Sequence, residues 1–377
     1  MTASRTTGAR YLDVHIIQNI PPSNINRDDE GKPKTARYGG KDRARVSSQS
    51  WKRATRLGFA DDEQGTRSKQ IAEAVAKALV TVHGYTDEAK ADTDAKAALA
   101  SAGIGGGKKQ DKPTGELGYL LLFGDDLVEK LAEAVVNGEL TGADAGKKVH
   151  EIISTADVPL SLALFGRMVA DDKSLSVDAA CQVAHAISTH EVAPEEDYFT
   201  AVDDLRTEDG GAGMIGHIEF NSSTLYRYAS INLDLLRKNL SGNTDNADAD
   251  AAVAHGAKEF IRSFALSMPT GYANSTAPQT LPTLVLVSLR EDRPVSLVGA
   301  FERPVKADSE GGYVDASVKR LLDEQAGITD MLGAATENLV AYRGPQTESV
   351  TVALGTPMPM TELVESVGSL LAARSDA

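Results

Sequence analysis

Hydrophobic and polar residues alternate near the amino end of the chain, over residues 11–20. The apolar positions are Leu12, Val14, Ile16 and Ile20, and the polar positions are Asp13, His15 and Asn19. A period of two predicts a β-strand with one face buried and the other in water. The pair Pro21 and Pro22 predicts the end of this strand, because proline has no N–H to donate to a neighbouring strand.

Residues 61–190 follow a helical period instead, in a stretch rich in alanine, lysine, glutamate and aspartate. The predicted helices cover residues 67–83, 87–101, 125–137, 141–154 and 176–190. A glycine- and lysine-rich stretch, residues 103–118, is predicted to be a loop between two of them. The whole region is interpreted as a helical insertion within a domain that contains β-strands.

The second half of the chain returns to β-strand patterns. Residues 194–221 are acidic and glycine-rich and predict a projecting β-hairpin. Further predicted strands cover residues 223–233, 280–289, 295–305 and 349–353. Predicted helices cover residues 249–266, 314–322 and 360–372. Two strand–helix–strand units with a large insertion predict an α+β fold of the ferredoxin-like, RNA-recognition type.

The composition is that of a globular protein with room for two or three domains. The chain has 377 residues, of which 41% are hydrophobic and 5% aromatic. Its single cysteine, Cys181, excludes an internal disulfide and a zinc site built from several cysteines. The sequence has neither a signal-peptide pattern nor a run of about 20 apolar residues, so we expect a soluble cytoplasmic protein without a membrane partner.

Charge is distributed unevenly along the chain. Residues 26–56 contain ten basic and four acidic residues, a net charge of +6, so the other residues carry −21 to give the total of −15. A local positive charge in an acidic protein is typical of a groove that binds phosphates. The alternative is a loop followed by a solvated basic helix that has no ligand.

The order of residues within this segment favours phosphate binding. Gly39 and Gly40 predict a tight turn, residues 43–46 predict a short extended run, and Ser47 and Ser48 predict a helix start. One arc of that helix, about 100° wide, is polar. The polar arc holds Gln49, Lys52, Arg53 and Arg56, and the opposite side holds Trp51, Ala54, Thr55 and Gly58. Free amides at the amino end of the helix are predicted to form a second phosphate site.

Two other motifs give weaker signals. A dinucleotide-binding pattern is formed by Gly211, Gly213 and Gly216. It follows acidic residues rather than an apolar strand, which argues against a pyrophosphate ligand. A possible metal-ligand set lies on one predicted helix and comprises Cys181, His185 and His190. For this set, a packed helix is favoured over a metal site.

Three further groups of residues have both a chemical and a structural interpretation. Asp28 and Asp29 lie inside the basic segment, where a carboxylate could act on RNA with a metal ion; capping or orienting neighbouring arginines is favoured. Two groups that combine apolar tips with nearby cations could displace a base, and ordinary core packing is the open alternative. These groups are Tyr198, Phe199 and Met214, and Phe165, Arg167 and Met168.

Six motifs occur in order along the chain. They are NINRDD (24–29), GGKDRARVSSQSWKRATR (39–56), LFGRM (164–168), AHAISTH (184–190), DYFTAVDDL (197–205) and FNSSTLYRYASINL (220–233). The set resembles the CasC family, the backbone subunit of Cascade, which is the type I-E CRISPR surveillance complex. The similarity extends from about residue 11 to about residue 305 and is weaker over residues 60–155.

The resemblance implies a protein that is not an enzyme and has no cofactor or metal. Copies of the family's subunit assemble head to tail along one guide RNA (crRNA) and hold its backbone, so that the bases pair with target DNA. Other Cascade subunits are implied partners. The implied fold is a hand, with a palm in residues 1–60 and 223–377, helical fingers in residues 61–193 and a β-hairpin thumb in residues 194–222.

The matching motifs also imply which residues contact RNA. The guide backbone would be held by Arg27, Lys34, Lys41, Arg45, Ser47, Gln49, Lys52, Arg53 and Arg56. Arg167 and Met168 would lie near a kinked nucleotide. Phe199, Thr200 and His217 would belong to the thumb, which in the family crosses the RNA held by a neighbouring copy.

Two other functions remain open at this point. A metal-dependent ribonuclease would use Asp28 or Asp29, because related type III backbone subunits cut RNA through a loop aspartate. A cytosolic helical protein would use the basic segment to bind an anionic protein partner.

Overall fold

The structure is a computed structural model, and it describes residues 8–101, 117, 120–141, 144–169, 173, 176–202, 212–241 and 246–373. The chain divides into two compact units. The first comprises Met1–Arg56, Gln182–Ile231 and Ala257–Ala377, and the second comprises Leu57–Cys181 and Asn232–Gly256. Among the described residues, no helix is both long enough and apolar enough to span a lipid bilayer.

The described residues contain eleven β-strands. They are β1 (Tyr11–Ser23), β2 (Thr35–Tyr38), β3 (Lys41–Val46), β4 (Thr66–Ser68), β5 (Leu121–Phe123), β6 (Cys181–Val183), β7 (Ala186–Ser188), β8 (Glu195–Val202), β9 (Ala212–Asn232), β10 (Leu284–Arg290) and β11 (Glu337–Tyr342).

The same residues contain thirteen α-helices. They are α1 (Ser48–Arg56), α2 (Asp61–Gln64), α3 (Ile71–Thr81), α4 (Glu88–Ser101), α5 (Asp125–Val136), α6 (Ala145–Thr155), α7 (Leu160–Phe165), α8 (Leu233–Ser241), α9 (Asn246–Leu266), α10 (Ala273–Thr276), α11 (Val314–Leu332), α12 (Thr347–Leu354) and α13 (Met360–Ala372).

Nine of the described strands form one sheet. Its order is β11-β10-β1-β9-β7-β3-β2, and β6 and β8 also pair with β9. β1 and β10 are antiparallel, with Val14 opposite Val287 and Ile17 opposite Leu284. β9 is 21 residues long and continues from the sheet into a hairpin with β8, so the two strands predicted on either side of residue 222 are one. The predicted α+β class is confirmed.

Both faces of β1 are buried, so the prediction that one face is exposed to solvent is wrong. Asp13 and His15 are buried, because each finds hydrogen-bond partners inside the core. Asp13 accepts hydrogen bonds from the Tyr228 hydroxyl and the Val295 amide, both at 2.9 Å. Burial raises the pKa of Asp13 to about 6 and lowers that of His15 to about 3. The strand also continues through the two prolines, whose fixed φ suits an extended chain where no N–H is needed.

The second unit has a helical core formed mainly by α3, α4, α5 and α6. Small side chains on α4, Ala91 and Ala95 among them, are buried and pack with Leu79, Leu127 and Leu131. Four of the five helices predicted here exist within a few residues. The first begins at Ile71 rather than near residue 67, because residues 66–68 form β4 and pair with β5.

The fifth helix predicted in this region, residues 176–190, does not form. The residues contain β6 and β7 instead. Ile187 of β7 lies opposite Arg45 of β3 on one side and Tyr226 of β9 on the other. Pairing on both sides stabilises an extended conformation over a local pattern that favoured a helix.

Two predicted strands near the carboxyl end are also wrong. Residues 295–305 contain a 3₁₀ turn, Val298–Phe301, whose Phe301 is buried. Residues 349–353 belong to α12, where Val350 and Leu354 are buried four residues apart on one helical face. In addition, α11 is longer than predicted, and β11 was not predicted. The closing helix, residues 360–372, is confirmed as α13.

Candidate nucleic-acid interface

The basic segment folds as a loop, a hairpin and a helix, all within the first unit. Gly39 and Gly40 form the two-residue turn between β2 and β3, with φ of 58° and 75°. Both values lie in the left-handed region that glycine adopts readily, which is typical of tight hairpins. A Cβ on Gly39 would lie 1.7 Å from the Glu302 carbonyl oxygen, so this position also requires glycine for space.

One cation of the segment is structural. Arg43 is fully buried. Its guanidinium donates hydrogen bonds to the carbonyl oxygens of Ser188 at 2.8 Å and Phe301 at 2.9 Å. These bonds anchor β3 to the rest of the first unit, so that the neighbouring cation Arg45 projects from a fixed strand.

Helix α1 has the two faces that the sequence predicts. Trp51, Ala54 and Thr55 are buried. The Trp51 ring lies 3.6 Å from the Arg227 guanidinium carbon, a cation–π contact beneath the helix. On the other face Gln49 and Arg53 are exposed and Lys52 and Arg56 are partly exposed.

The amino end of α1 is not the second phosphate site predicted from the sequence. The Ser47 hydroxyl caps the helix by accepting from the Ser50 amide at 3.3 Å. The Ser48 amide donates to Nδ1 of His185 at 3.0 Å, and the Ser47 amide donates to Oδ1 of Asn26 at 2.8 Å. Because these amides already have acceptors, they are not free to bind a phosphate.

His185 links α1 to the neighbouring cations. Burial, followed by the positive charges of Arg45 and Lys34, lowers its pKa. The neutral ring therefore accepts the Ser48 amide hydrogen bond near neutral pH. From the sequence, His185 belonged to a possible metal-ligand set for which a packed helix was favoured. Its position at the start of α1 depends on β7, which was predicted as a helix.

The loop before β2 is closed by Asp28. Its Oδ1 atom accepts hydrogen bonds from the amides of Glu30 at 3.0 Å and Lys32 at 2.8 Å. The Arg45 amide donates to the Lys34 carbonyl at 2.9 Å and fastens the loop to β3. Asp28 thus has a structural role, although it holds loop amides rather than the neighbouring arginines expected from the sequence, and Asp29 is exposed.

We call seven cations of these elements the basic surface. It comprises Arg27, Lys34, Lys41, Arg45, Lys52, Arg53 and Arg56. Lys41 also forms an exposed ion pair with Glu191 at 3.1 Å, and the Nε atom of Arg45 donates to the Thr35 carbonyl at 3.1 Å. Exposed ion pairs are weak, so a phosphate can replace the carboxylate beside Lys41.

The β8–β9 hairpin places Phe199 opposite Gly216 and Tyr198 opposite His217. The Phe199 ring occupies the space above Gly216, where a Cβ would lie 2.3 Å from the ring. Tyr198, Thr200 and His217 are exposed. Residues 203–210 and the side chain of Met214 lie outside the described residues.

The base of this hairpin is joined to the basic loop. Asn24 donates to the Glu219 carbonyl at 3.0 Å and to the Gly31 carbonyl at 2.9 Å. Lys32 forms an ion pair with the Glu219 carboxylate at 3.3 Å. These contacts therefore hold the base of the hairpin against the loop that precedes β2.

The remaining predicted site residues, Arg167 and Met168, lie in the second unit. Met168 is 82% exposed, and Arg167 exchanges backbone hydrogen bonds with Val177 at 2.9 and 2.8 Å. Phe165 stacks on Phe59 with 6.2 Å between ring centroids. Phe165 is thus a packing residue, whereas Met168 presents an apolar tip to solvent.

The second unit also contains an acidic groove with a volume of about 370 Å³. Its acidic residues are Asp62, Glu63, Asp125, Asp126 and Asp157, and its apolar floor includes Val158, Pro159, Leu160 and Leu240. Carboxylates at this density repel phosphates, which disfavours nucleic-acid binding in the groove.

The weaker motifs of the sequence do not assemble into sites. Cys181 and His190 are buried, and His190 accepts from the Thr224 amide at 3.1 Å. Among the described residues, no three His, Cys, Asp or Glu side chains are grouped closely enough to hold a metal ion. Gly213 and Gly216 lie within β9 rather than in a strand-to-helix turn, and Gly211 lies outside the described residues.

The described residues form an α+β protein with a candidate nucleic-acid interface. Its features are an antiparallel sheet, a basic loop and helix, a β-hairpin and a helical second unit. The profile of the CT1975-like protein family matches residues 12–366. The chain therefore belongs to the CT1975-like family. No curated protein sequence matches it.

Two solved structures illustrate the relationship. A chain of a "CRISPR RNA-guided surveillance complex, pre-nicking" is 33% identical, with a TM-score of 0.78 over 96% of this chain and 100% of that chain. A chain of a "CRISPR RNA-guided surveillance complex" is 30% identical, with a TM-score of 0.60 over 94% of this chain and 99% of that chain. The chain is thus similar to subunits of CRISPR surveillance complexes.

Proposed function

We propose that this protein is a backbone subunit of a type I-E Cascade, which binds the sugar–phosphate backbone of a guide RNA and is not an enzyme. The observation that carries the proposal is the basic surface, in which cations project from a buried scaffold in an acidic protein. The similarity to surveillance-complex chains supports the same conclusion.

The contact set fits a ligand recognised by its backbone rather than by its sequence. Arginine and lysine bind phosphates, and the polar side chains of Gln49 and Ser47 suit ribose and phosphate oxygens. Sequence-specific RNA recognition would need base edges or aromatic stacking, and the chain is poor in aromatics. We extend the proposed contacts to Arg167 and Met168, and to Phe199, Thr200 and His217 of the hairpin.

We propose that the sheet is an RNA-recognition-type palm. Four strands support this, because their order β10-β1-β9-β7 and the positions of α1 and α9 between them in the chain follow the β-α-β-β-α-β arrangement. In this proposal residues 1–60 and 223–377 are the palm, residues 61–193 the fingers and residues 194–222 the thumb.

Assembly on the guide is the second part of the proposal. Copies contact each other head to tail, and the hairpin of one copy crosses the RNA bound by the next. A head-to-tail contact that does not close produces a filament, whose length is set by the guide. Target DNA is held through base pairing with that guide, and other Cascade subunits bind at the ends or along the filament.

The test is purification of the chain from cells that express a CRISPR transcript. The expected result is co-purified RNA, seen as a high 260/280 absorbance ratio, with nuclease-resistant lengths that increase in steps of one repeat as copies are added. A charge-reversal control replaces three surface lysines outside the basic surface with glutamate. This variant, at Lys90, Lys147 and Lys319, should retain the RNA. Protein that is free of RNA, alone and with its partner subunits, would contradict the proposal.

A further inference from the structure

Two residues near the basic surface have an unusual backbone. Among the described residues, Tyr272 and Ala277 are the non-glycine residues with positive φ, at 47° and 43°. They flank the short helix α10. A bulky side chain in the left-handed region is a conformational outlier, and such outliers persist where the surroundings hold them and often where they serve function.

The surroundings do hold this segment. The Tyr272 carbonyl accepts hydrogen bonds from the amides of Ser275 and Thr276, both at 3.0 Å, and from the Thr276 hydroxyl at 2.9 Å. Downstream, the Thr280 hydroxyl donates to the Asn19 carbonyl at 2.6 Å, and Gln18 donates to the Thr280 carbonyl at 2.7 Å. The segment is therefore fastened to β1.

The same segment packs directly against the basic loop. A Cβ on Gly271 would lie 2.6 Å from the carbonyl oxygens of Asn24 and Ile25, so the two backbones approach as closely as glycine permits. This contact brings the next residue, Tyr272, under the side chain of Arg27. The guanidinium carbon of Arg27 lies 4.6 Å from the Tyr272 ring centroid.

The stacked geometry leaves the phosphate-binding edge of Arg27 available. A cation–π contact uses the flat face of the guanidinium, whereas its N–H donors point outward in the plane of the group. Arg27 is exposed, and no carboxylate pairs with it in the described part of the chain. The Tyr272 ring restricts the rotamers of the Arg27 side chain before RNA binds. Less conformational entropy is therefore lost when Arg27 binds a phosphate.

We infer that Tyr272 is a positioning residue for guide binding, which holds Arg27 flat so that its edge binds one phosphate of the RNA. This inference rests on the proposed function. It adds a residue from a separate part of the chain, about 240 positions after the basic segment, to the RNA-binding surface.

The test is a double-mutant cycle on the full chain, with fluorescence anisotropy of a labelled CRISPR transcript as the measurement. Tyr272→Phe should bind within about twofold of wild type, because the ring is retained. Tyr272→Ala should weaken binding by about two- to fivefold, the value of an exposed cation–π contact. Arg27→Ala should weaken binding by about tenfold, and adding Tyr272→Ala to it should cause little further loss.

Two further readouts separate positioning from a structural role. Arg27→Ala should reduce the magnitude of the slope of log affinity against log salt by about 0.7, one phosphate on single-stranded RNA, and Tyr272→Ala should reduce it in the same direction. Tyr272→Gly relieves the backbone conformation but removes the ring, so it should bind like Tyr272→Ala and melt at no lower temperature than that variant.

Several results would overturn the inference. They are additive losses from the two alanine variants, wild-type affinity in Tyr272→Gly, and an unchanged salt slope in Tyr272→Ala. If wild-type protein binds RNA and any of these is found, the inference alone is wrong. If wild-type protein does not bind the transcript, the proposed function is wrong and this inference is wrong with it.

Discussion

The basic surface of the first unit and the acidic groove of the second carry opposite charges, and these charges have different origins. In the groove, Asp125 and Asp126 occupy the first turn of α5, and Asp62 and Glu63 occupy the first turn of α2. Carboxylates at helix amino ends are stabilised by the helix dipole. Asp126 also accepts from the Asp157 amide at 2.7 Å. Local structure is therefore sufficient to explain the acidic charge.

The basic surface is explained less well by local structure. Arg53 and Arg56 lie in the last turn of α1, where a cation is favourable. Lys34 and Arg45 do not lie at a helix end, so the helix dipole does not explain their positions. Together with burial, their positive charges lower the pKa of His185. Cations placed against one another cost free energy unless an anion binds between them. The comparison teaches that the helix dipole explains the charge of the groove but not all of the charge of the basic surface, and the proposed RNA ligand would supply the missing anion.

The largest effect is expected from reversing the outward face of α1. Changing Lys52, Arg53 and Arg56 to glutamate should weaken RNA binding by at least about 100-fold, because three phosphate contacts become repulsive. The helix should remain folded, since Trp51 and Ala54 on its buried face are unchanged. Fluorescence anisotropy gives the affinity, and circular dichroism gives the melting temperature.

The matched variant reduces the negative charge of the groove. Changing Asp62, Asp125 and Asp157 to asparagine removes three of the five negative charges at nearly constant side-chain size and should leave RNA affinity unchanged or slightly higher. A loss of affinity in the groove variant as large as that in the α1 variant would contradict the assignment of RNA binding to the basic surface.

The salt dependence of RNA affinity gives a second comparison of the groove variant with the α1 variant. Wild-type affinity should fall linearly on a log–log plot, with a slope of about −0.7 for each phosphate neutralised. The groove variant should have the same slope as wild type, whereas the α1 variant should have a shallower one. Affinity that does not respond to salt would contradict phosphate binding.

A smaller effect is expected at Asp28. Changing Asp28 to alanine removes the acceptor of two loop amides and should weaken RNA binding by up to about 30-fold, as expected for roughly 1 kcal/mol for each of the two lost hydrogen bonds. Asp29→Ala is the control and should bind like wild type, because Asp29 is exposed. Labelled RNA should stay intact with Mg²⁺ or Mn²⁺ in all three proteins. Cleavage that disappears in either variant would establish a ribonuclease instead.

The smallest effect concerns pH. Because the pKa of His185 is lowered, its neutral, hydrogen-bonded form persists at pH 6.5, where an unperturbed histidine is half protonated. The stability from this bond is present above that pH and is lost only as pH falls through the lowered pKa. The ratio of wild-type to His185→Gln affinity should therefore stay constant from pH 8 to pH 6.5. A ratio that increases as pH falls would mean that His185 becomes a cation in this range.

Sequence patterns predicted well the elements whose periodicity is local. The two faces of α1, the Gly39-Gly40 turn and the limits of α13 agree with the structure. The patterns failed where partners distant in the chain decide the conformation. Residues 181–183 and 186–188 form strands instead of part of a helix, because they pair with β9 and, for β7, also with β3. Asp13 is buried through partners more than 200 residues away.

The candidate site divides in the same way. The cations of the basic segment could be selected from charge and helical spacing alone. Arg43 could not be separated from them, because its burial depends on carbonyl groups of Ser188 and Phe301. Tyr272 could not be found either, because only the folded chain brings it under Arg27.

Hydrogen–deuterium exchange of the full chain with and without a CRISPR transcript tests the central claim most directly. The account predicts slower exchange in residues 24–56 and in the 271–277 segment, and no change in residues 124–126 and 157–160 of the acidic groove. Protection confined to the groove, or unchanged exchange across the basic surface at saturating RNA, would contradict it.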